Sequence, residues 1–180
     1  MDADVTGAAR PSLRAAIGAI EVAVAAAALV WFGGEVPSAQ AAATCTWGGT
    51  PAAPTGLFTV SPPLTNIPST GPIDFTATGP LAGDCSGRLA FDGRLEPGAT
   101  CSDGVFAGTT KGLPGVVRFE GFDVTGIAPS QLYDRDGNIV GSENAQLLTV
   151  DNAPFTDCGS AEGFTRGNFS SVIELFGDRW

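Results

Sequence analysis

The sequence predicts an all-β fold: an antiparallel up-and-down barrel, with a two-sheet sandwich as the alternative. Three observations point there. Between Ser86 and Val124 apolar residues alternate with polar ones at the two-residue period of a strand with one wet face, and there is little helical signal. The alternating runs are separated by turn sequences, Glu96-Pro97-Gly98 and Lys111-Gly112-Leu113-Pro114-Gly115. Glycine also recurs inside the runs, which suits the coiling that a closed sheet requires.

The chain opens with the three-part layout of a secretory signal peptide. Arg10 and Arg14 precede Ala15 to Phe32, eighteen residues in which Glu21 is the one charge, and Ala39-Gln40-Ala41-Ala42-Ala43 offers small residues for cleavage after Ala41 or Ala43. Residues 1–43 are therefore expected to be a leader, 44–176 a single domain and 177–180 a tail. Because the apolar run could just span a bilayer, the alternative is an uncleaved anchor; the arginines on its N-terminal side still put the domain outside. The expected location is secreted or, in the alternative, the outer face of the cytoplasmic membrane.

Within the domain, Cys45-Thr46-Trp47-Gly48-Gly49 comes first and a Pro/Ala/Thr stretch follows to Thr55. Leu57–Val60 and Ile73–Thr78 read as short strands, the second with Ile73, Phe75 and Ala77 on one face. Ser61-Pro62-Pro63 through Gly71-Pro72 reads as a loop, since proline supplies no ladder donor. Arg88–Leu95 places Leu89, Phe91 and Leu95 on one face with Arg88, Asp92 and Arg94 opposite. The next strand runs from Cys101 through Val105 and Phe106 to Thr110, and a third begins at Val116. There Val117 and Phe119 share one parity and Phe122 and Val124 the other, so a bulge is expected at Gly121. Ile127-Ala128-Pro129 reads as a connection and Leu132–Val140 as a tight hairpin around Asp134–Asn138. Gln146–Val150 and Gly163–Phe176 read as strands, and Asp151–Glu162 as an acidic loop holding Cys158.

Pro54-Thr55, Thr59-Val60-Ser61-Pro62, Thr70-Gly71, Phe75-Thr76-Ala77-Thr78-Gly79 and Leu81-Ala82-Gly83, all within residues 54–83, form a run that resembles the first two strands of bacterial immunoglobulin-like domains, including the neocarzinostatin-type chromoproteins. The resemblance implies an immunoglobulin-like sandwich that sequesters a small apolar chromophore. Downstream the cysteine spacing departs from the short disulfide-closed hairpins of that family. From Cys45-Thr46-Trp47-Gly48-Gly49 to Ser170-Ser171-Val172-Ile173-Glu174-Leu175-Phe176 the chain also resembles a group of small exported proteins from high-GC Gram-positive bacteria, which implies a shared fold and no activity. Tyr133-Asp134 with Gly137-Asn138 resembles one unit of the YD repeats of large bacterial surface toxins. A single copy makes no array, and these are residues that any β-turn uses.

Composition removes several chemistries. The 180 residues carry 19 acids and 9 bases; four acids and two bases fall in the leader, which leaves the domain 15 against 7, a net charge of −8. Such a surface repels phosphate backbones and anionic headgroups, so nucleic acid is not an expected partner, nor is a membrane after cleavage. There is no histidine. That excludes Ser-His and Cys-His nucleophile pairs and the imidazole ligands of most catalytic zinc and copper sites, and no cofactor is expected.

Four cysteines, Cys45, Cys85, Cys101 and Cys158, predict two disulfides in an exported chain, and no Cys-x-x-Cys pair suggests metal or redox work. If strands alternate up and down from residue 57, Cys45 and Cys85 fall at one end of the domain and Cys101 and Cys158 at the other. The expected bridges are therefore Cys45–Cys85 and Cys101–Cys158.

Carboxylate chemistry is what remains open to an enzyme. Asp74, Asp92, Glu120 and Asp123 fall on the polar parity and are expected to face solvent. Glu174, between Val172 and Phe176, is the one catalytic candidate, partly buried if both faces of its strand are covered; the competing reading puts it on an outer face. Asp134 and Asp136 are in part similar to a calcium loop, but Leu132 stands where the first ligand belongs, so no metal is expected. The leading expectation is a non-catalytic domain that binds a small apolar ligand, lined by Phe75, Leu89, Phe91, Phe119 and Phe122. The alternative is an adhesion or inhibitor domain that meets a cell-surface protein through its loops, and a carboxylate hydrolase is third.

Overall fold

Period-two patterning gives each strand one apolar face, and a sheet with one apolar face must cover it. Here the sheet covers it by closing on itself. The computed structural model describes residues 41–151, 153–155 and 163–177; the expected leader up to residue 40, Cys158 and residues 178–180 lie outside the described residues. The strands are β1 (Ala41–Trp47), β2 (Gly49–Thr50), β3 (Ala53–Pro54), β4 (Gly56–Leu64), β5 (Ile73–Gly83), β6 (Arg88–Leu95), β7 (Asp103–Lys111), β8 (Arg118–Val124), β9 (Ile127–Tyr133), β10 (Ile139–Val150), β11 (Ala153–Pro154) and β12 (Phe164–Phe176).

Each of β4 to β10 pairs antiparallel with its successor, and β12 closes the ring by pairing with both β10 and β4. The result is an eight-stranded up-and-down barrel, as the alternation predicts, and not the sandwich. Phe58, Phe91, Phe106, Phe119, Leu132 and Ile173 point inward and are buried. The exterior carries Asp74, Arg94, Asp92, Glu120 and Arg166. Apolar inside and charged outside is the reverse of a barrel built for lipid.

One stave is made of two pieces. β1 and β4 lie end to end between β12 and β5: β1 pairs with Ser171–Phe176 and Leu81–Gly83, and β4 with Phe164–Phe169 and Asp74–Thr78. Gly48 is the joint. Its amide donates to the Pro80 carbonyl, its carbonyl accepts from Thr55 and Gly56, and its φ of +79° suits glycine. A Cβ there would lie 2.7 Å from the Gly56 Cα. The residues between the halves fold outward as the β2–β3 hairpin. Cys45 in β1 pairs with Gly83 of β5, and the Cys45–Cys85 bridge spans this seam with a Cα–Cα distance of 5.4 Å. A bridge of this kind belongs to an oxidising compartment. Cys101 is buried and is not a free thiol; its expected partner, Cys158, lies outside the described residues.

Three local expectations are corrected. First, β4 continues through Pro62 and Pro63, where a loop is predicted; β5 pairing stops at Ser61 and the β12 register shifts between Thr59 and Leu64, so the prolines fall where no ladder donor is needed. Second, Ile127–Pro129 is strand. The turn before it is Thr125-Gly126, both at positive φ, the two-residue hairpin geometry. Third, Gly121 is no bulge. The register runs unbroken from Asp103↔Val124 to Thr109↔Arg118, so Phe119, Gly121 and Asp123 share the inner parity. Glycine is required at this inner position: a Cβ at Gly121 would collide with the Pro129 carbonyl oxygen and sit 2.7 Å from the Ser130 Cβ and 2.8 Å from the Phe106 ring.

Candidate functional site

The inner surface has two unlike walls. On β4 to β8 and β1 it is aromatic: Phe58, Phe75, Phe91, Phe106, Phe119 and Trp47. The rings form a connected chain, with Phe58 to Phe75 at 6.3 Å, Phe75 to Phe91 at 5.3 Å, Phe91 to Phe119 at 6.1 Å and Phe119 to Trp47 at 6.0 Å between centroids. Most contacts are edge-on or tilted, as ring quadrupoles favour. The Trp47 Nε1–H, which would otherwise be an unsatisfied buried donor, bonds to the Leu89 carbonyl at 3.2 Å.

On β9, β10 and the adjoining half of β12 small or polar residues, Ala128, Ser130, Glu143, Ala145 and Ser171, face inward beside Leu132, Leu147, Phe169 and Ile173. Glu143 is 4 % exposed. Ser130 Oγ donates to its Oε2 at 2.7 Å and Ser171 Oγ to its Oε1 at 2.5 Å. Burial pushes the Glu143 carboxyl up to about 7, against the lowering effect of the two serine hydrogen bonds.

Asp123 is the second interior acid, 9 % exposed. Among the described residues its Oδ1 has no hydrogen-bond partner. Burial raises its pKa to about 6; a backbone hydrogen bond from Gly126 works the other way and the nearby Asp103 charge adds to the rise.

Between the walls lie two adjoining cavities of about 30 and about 40 Å³. Phe58, Phe75, Phe106, Ala128 and Leu147 line both; Glu143 borders the first and Asp123 the second. The void lies where large rings face small residues across the barrel.

Of the five candidate lining residues, Phe75, Phe91 and Phe119 stand on the cavity walls. Leu89 is fully buried and packed. Phe122 is corrected: it is 50 % exposed on the outer face, because the expected bulge is absent. The same parity error hid Asp123, expected in solvent and found inside. Glu174 lies on the outer face of β12 and is exposed, with Ile173 and Leu175 pointing inward on either side. Asp134 and Asp136 belong to the β9–β10 turn. Asp134 Oδ1 accepts from the amides of Asp136 and Asn138, and Oδ2 from the Asn138 side chain, bonds that hold its carboxyl below the ordinary range. Its lone pairs serve the turn.

Sequence reasoning missed Glu143. The available signal was parity: Glu143 shares the inner register with Ala145 and Leu147.

The fold and site together define a closed, outwardly charged β-barrel with two acids in an aromatic-lined interior. No protein-family model matches the chain, and neither a curated protein nor a solved structure matches it.

Proposed function

We propose that the chain is an exported, non-catalytic binding domain that holds a small ligand inside its barrel, between the two walls, each of which carries one interior acid. The observation that carries this reading is the unpartnered Asp123 oxygen on an apolar cavity wall. A buried acceptor without a donor costs about 1–3 kcal/mol, and a ligand's donor removes that cost. Perturbed acids beside an apolar cavity are the ordinary mark of a binding site.

The ligand is small. A water-sized group needs roughly 10–15 Å³ of such space, so the two cavities admit a chain of about four or five heavy atoms. A multi-ring chromophore does not fit. Ser130 and Ser171 each donate a hydrogen bond to the buried Glu143, so both of its oxygens are engaged by hydroxyl groups. Export is supported by the leader-like N-terminus together with the Cys45–Cys85 bridge.

The test is an NMR titration of the labelled protein with 1-butanol. Saturable shifts at Phe75, Phe106, Ala128 and Leu147, lost in Ala128→Leu, are expected. Shifts confined to Phe122, Val124 and Ile127 on the outside contradict the reading.

A second reading rests on that exterior. Val105 pairs with Phe122 across β7 and β8, and Val124 with Ile127 across the next hairpin, so four side chains each about half exposed form one apolar strip. A cleft of about 270 Å³ adjoins it, lined by Ile127, Pro51, Asn144, Gln146 and Val172. Such a strip on a charged exterior fits a protein partner. Under this reading Phe122→Ser abolishes attachment to a cell surface and leaves interior binding of 1-butanol intact.

A further inference from the structure

We propose that the ligand is a small organic cation, a primary alkylammonium, whose ammonium group sits on Asp123 and whose alkyl chain lies among the rings. This rests on the interior-binding reading above and narrows it.

The first argument is charge. Two acids line the interior, and none of the described basic residues, Arg88, Arg94, Arg118, Arg135, Arg166 and Lys111, is buried. Arg94 pairs with Asp74 and Arg118 with Glu120 on the outside, the latter also stacked over the Tyr133 ring. Among the described residues the interior therefore holds acids with no buried counter-charge, which repels an anionic ligand and attracts a cation.

The second argument is the wall itself. Aromatic faces carry negative potential and stabilise an ammonium group or the polarised methylene beside it. The edge-on packing of Phe75 on Phe106 and of Phe58 on Phe75 brings both faces and edges to the cavities that these rings line.

The third argument is the hydrogen-bond inventory. An ammonium is donor-only, and Asp123 Oδ1 is an acceptor that finds no donor among the described residues. Each Glu143 oxygen already accepts a serine hydroxyl, so Glu143 contributes field and not the primary contact.

The fourth is access. Asp123 lies one residue before the end of β8, next to the Thr125-Gly126 turn, and its residual exposure lets the ammonium keep part of its hydration. From there Leu95, Val60 and Leu64 line the same cavity and receive the alkyl chain.

The experiment compares n-butylammonium chloride with 1-butanol, equal in heavy-atom count, by NMR titration of the full disulfide-bonded chain at pH 8, with sodium chloride matching the ionic strength. Butylammonium is expected to bind one per chain and at least tenfold more tightly than 1-butanol. In Asp123→Asn that preference is expected to vanish while 1-butanol still binds. Equal affinity for the two probes, or a preference that survives in Asp123→Asn, overturns the cation assignment and leaves the interior reading standing. Binding of neither probe removes both. The comparison on the unaltered chain decides even where the variant fails to fold.

Discussion

The two walls of the barrel solve the same packing problem in opposite ways. β4 to β8 fill the interior with rings, whereas β9, β10 and part of β12 set alanine, serine and glutamate among their larger inward residues. An all-aromatic lining would overfill an eight-stranded barrel, and an all-small one would leave it hollow. Pairing one with the other fills most of the space and leaves the remainder between them, bordered by Glu143 on the small wall and by Asp123 at the end of β8 on the ring wall. Stability should therefore reside in the rings, and pH sensitivity in these two acids.

Breaking the ring wall gives the largest expected effect. Phe119, 2 % exposed, contacts both Trp47 and Phe91. Phe119→Ala is expected to cost about 3–5 kcal/mol in chemical denaturation, for lost transfer energy plus the cavity left behind.

The two interior acids predict a smaller effect with a definite sign. Glu143 and Asp123 have folded-state pKa values raised to about 7 and about 6, so their contribution to stability is full below pH 4 and lost as pH rises through those values. Each shift corresponds to about 3 kcal/mol between pH 4 and pH 8. Asp134, held below the ordinary range, acts in the opposite sense at lower pH. Glu143→Gln is thus expected to raise the melting temperature at pH 8 and to leave it nearly unchanged at pH 4. A melting temperature lowered by Glu143→Gln at pH 8 would mean instead that the folded barrel stabilises the ionised carboxylate.

The difference between the walls also explains what the sequence could reveal. Strands and turns of the ring wall are legible because Leu89, Phe91 and Leu95 alternate strongly with charged neighbours, and the barrel follows from strand succession. β8 misleads because both parities carry phenylalanine. The inner parity passes through Gly121, where Pro129 and Ser130 of β9 and the Phe106 ring of β7 take the space of a side chain, contacts across strands that no local pattern encodes. β1 went unread as a strand although Ala43, Cys45 and Trp47 share one parity, because it is half a stave and too short to show a period alone. On the small wall alanine and serine barely register as an apolar face, so Glu143 drew no notice. Pro129 hid β9 for a different reason: it sits inside the strand where the β8–β9 pairing lapses, between Gly121↔Ser130 and Val124↔Ile127.

The outside provides the smallest effect and sharpens the contrast. Phe122→Ser removes a half-exposed ring that no interior contact uses. Its stability is expected to lie within about 0.5 kcal/mol of the unaltered chain, the ordinary range for surface substitutions. A loss comparable to that of Phe119→Ala would place Phe122 inside after all and restore the bulge at Gly121.

The central claim, that the barrel turns two acids inward, Asp123 from the ring wall and Glu143 from the small wall, is tested most directly by following side-chain carboxyl carbons by NMR across a pH titration. The account predicts that the Glu143 and Asp123 signals titrate near 7 and near 6, well apart from the exposed acids. Both titrating near 4, together with the surface carboxylates, would contradict it.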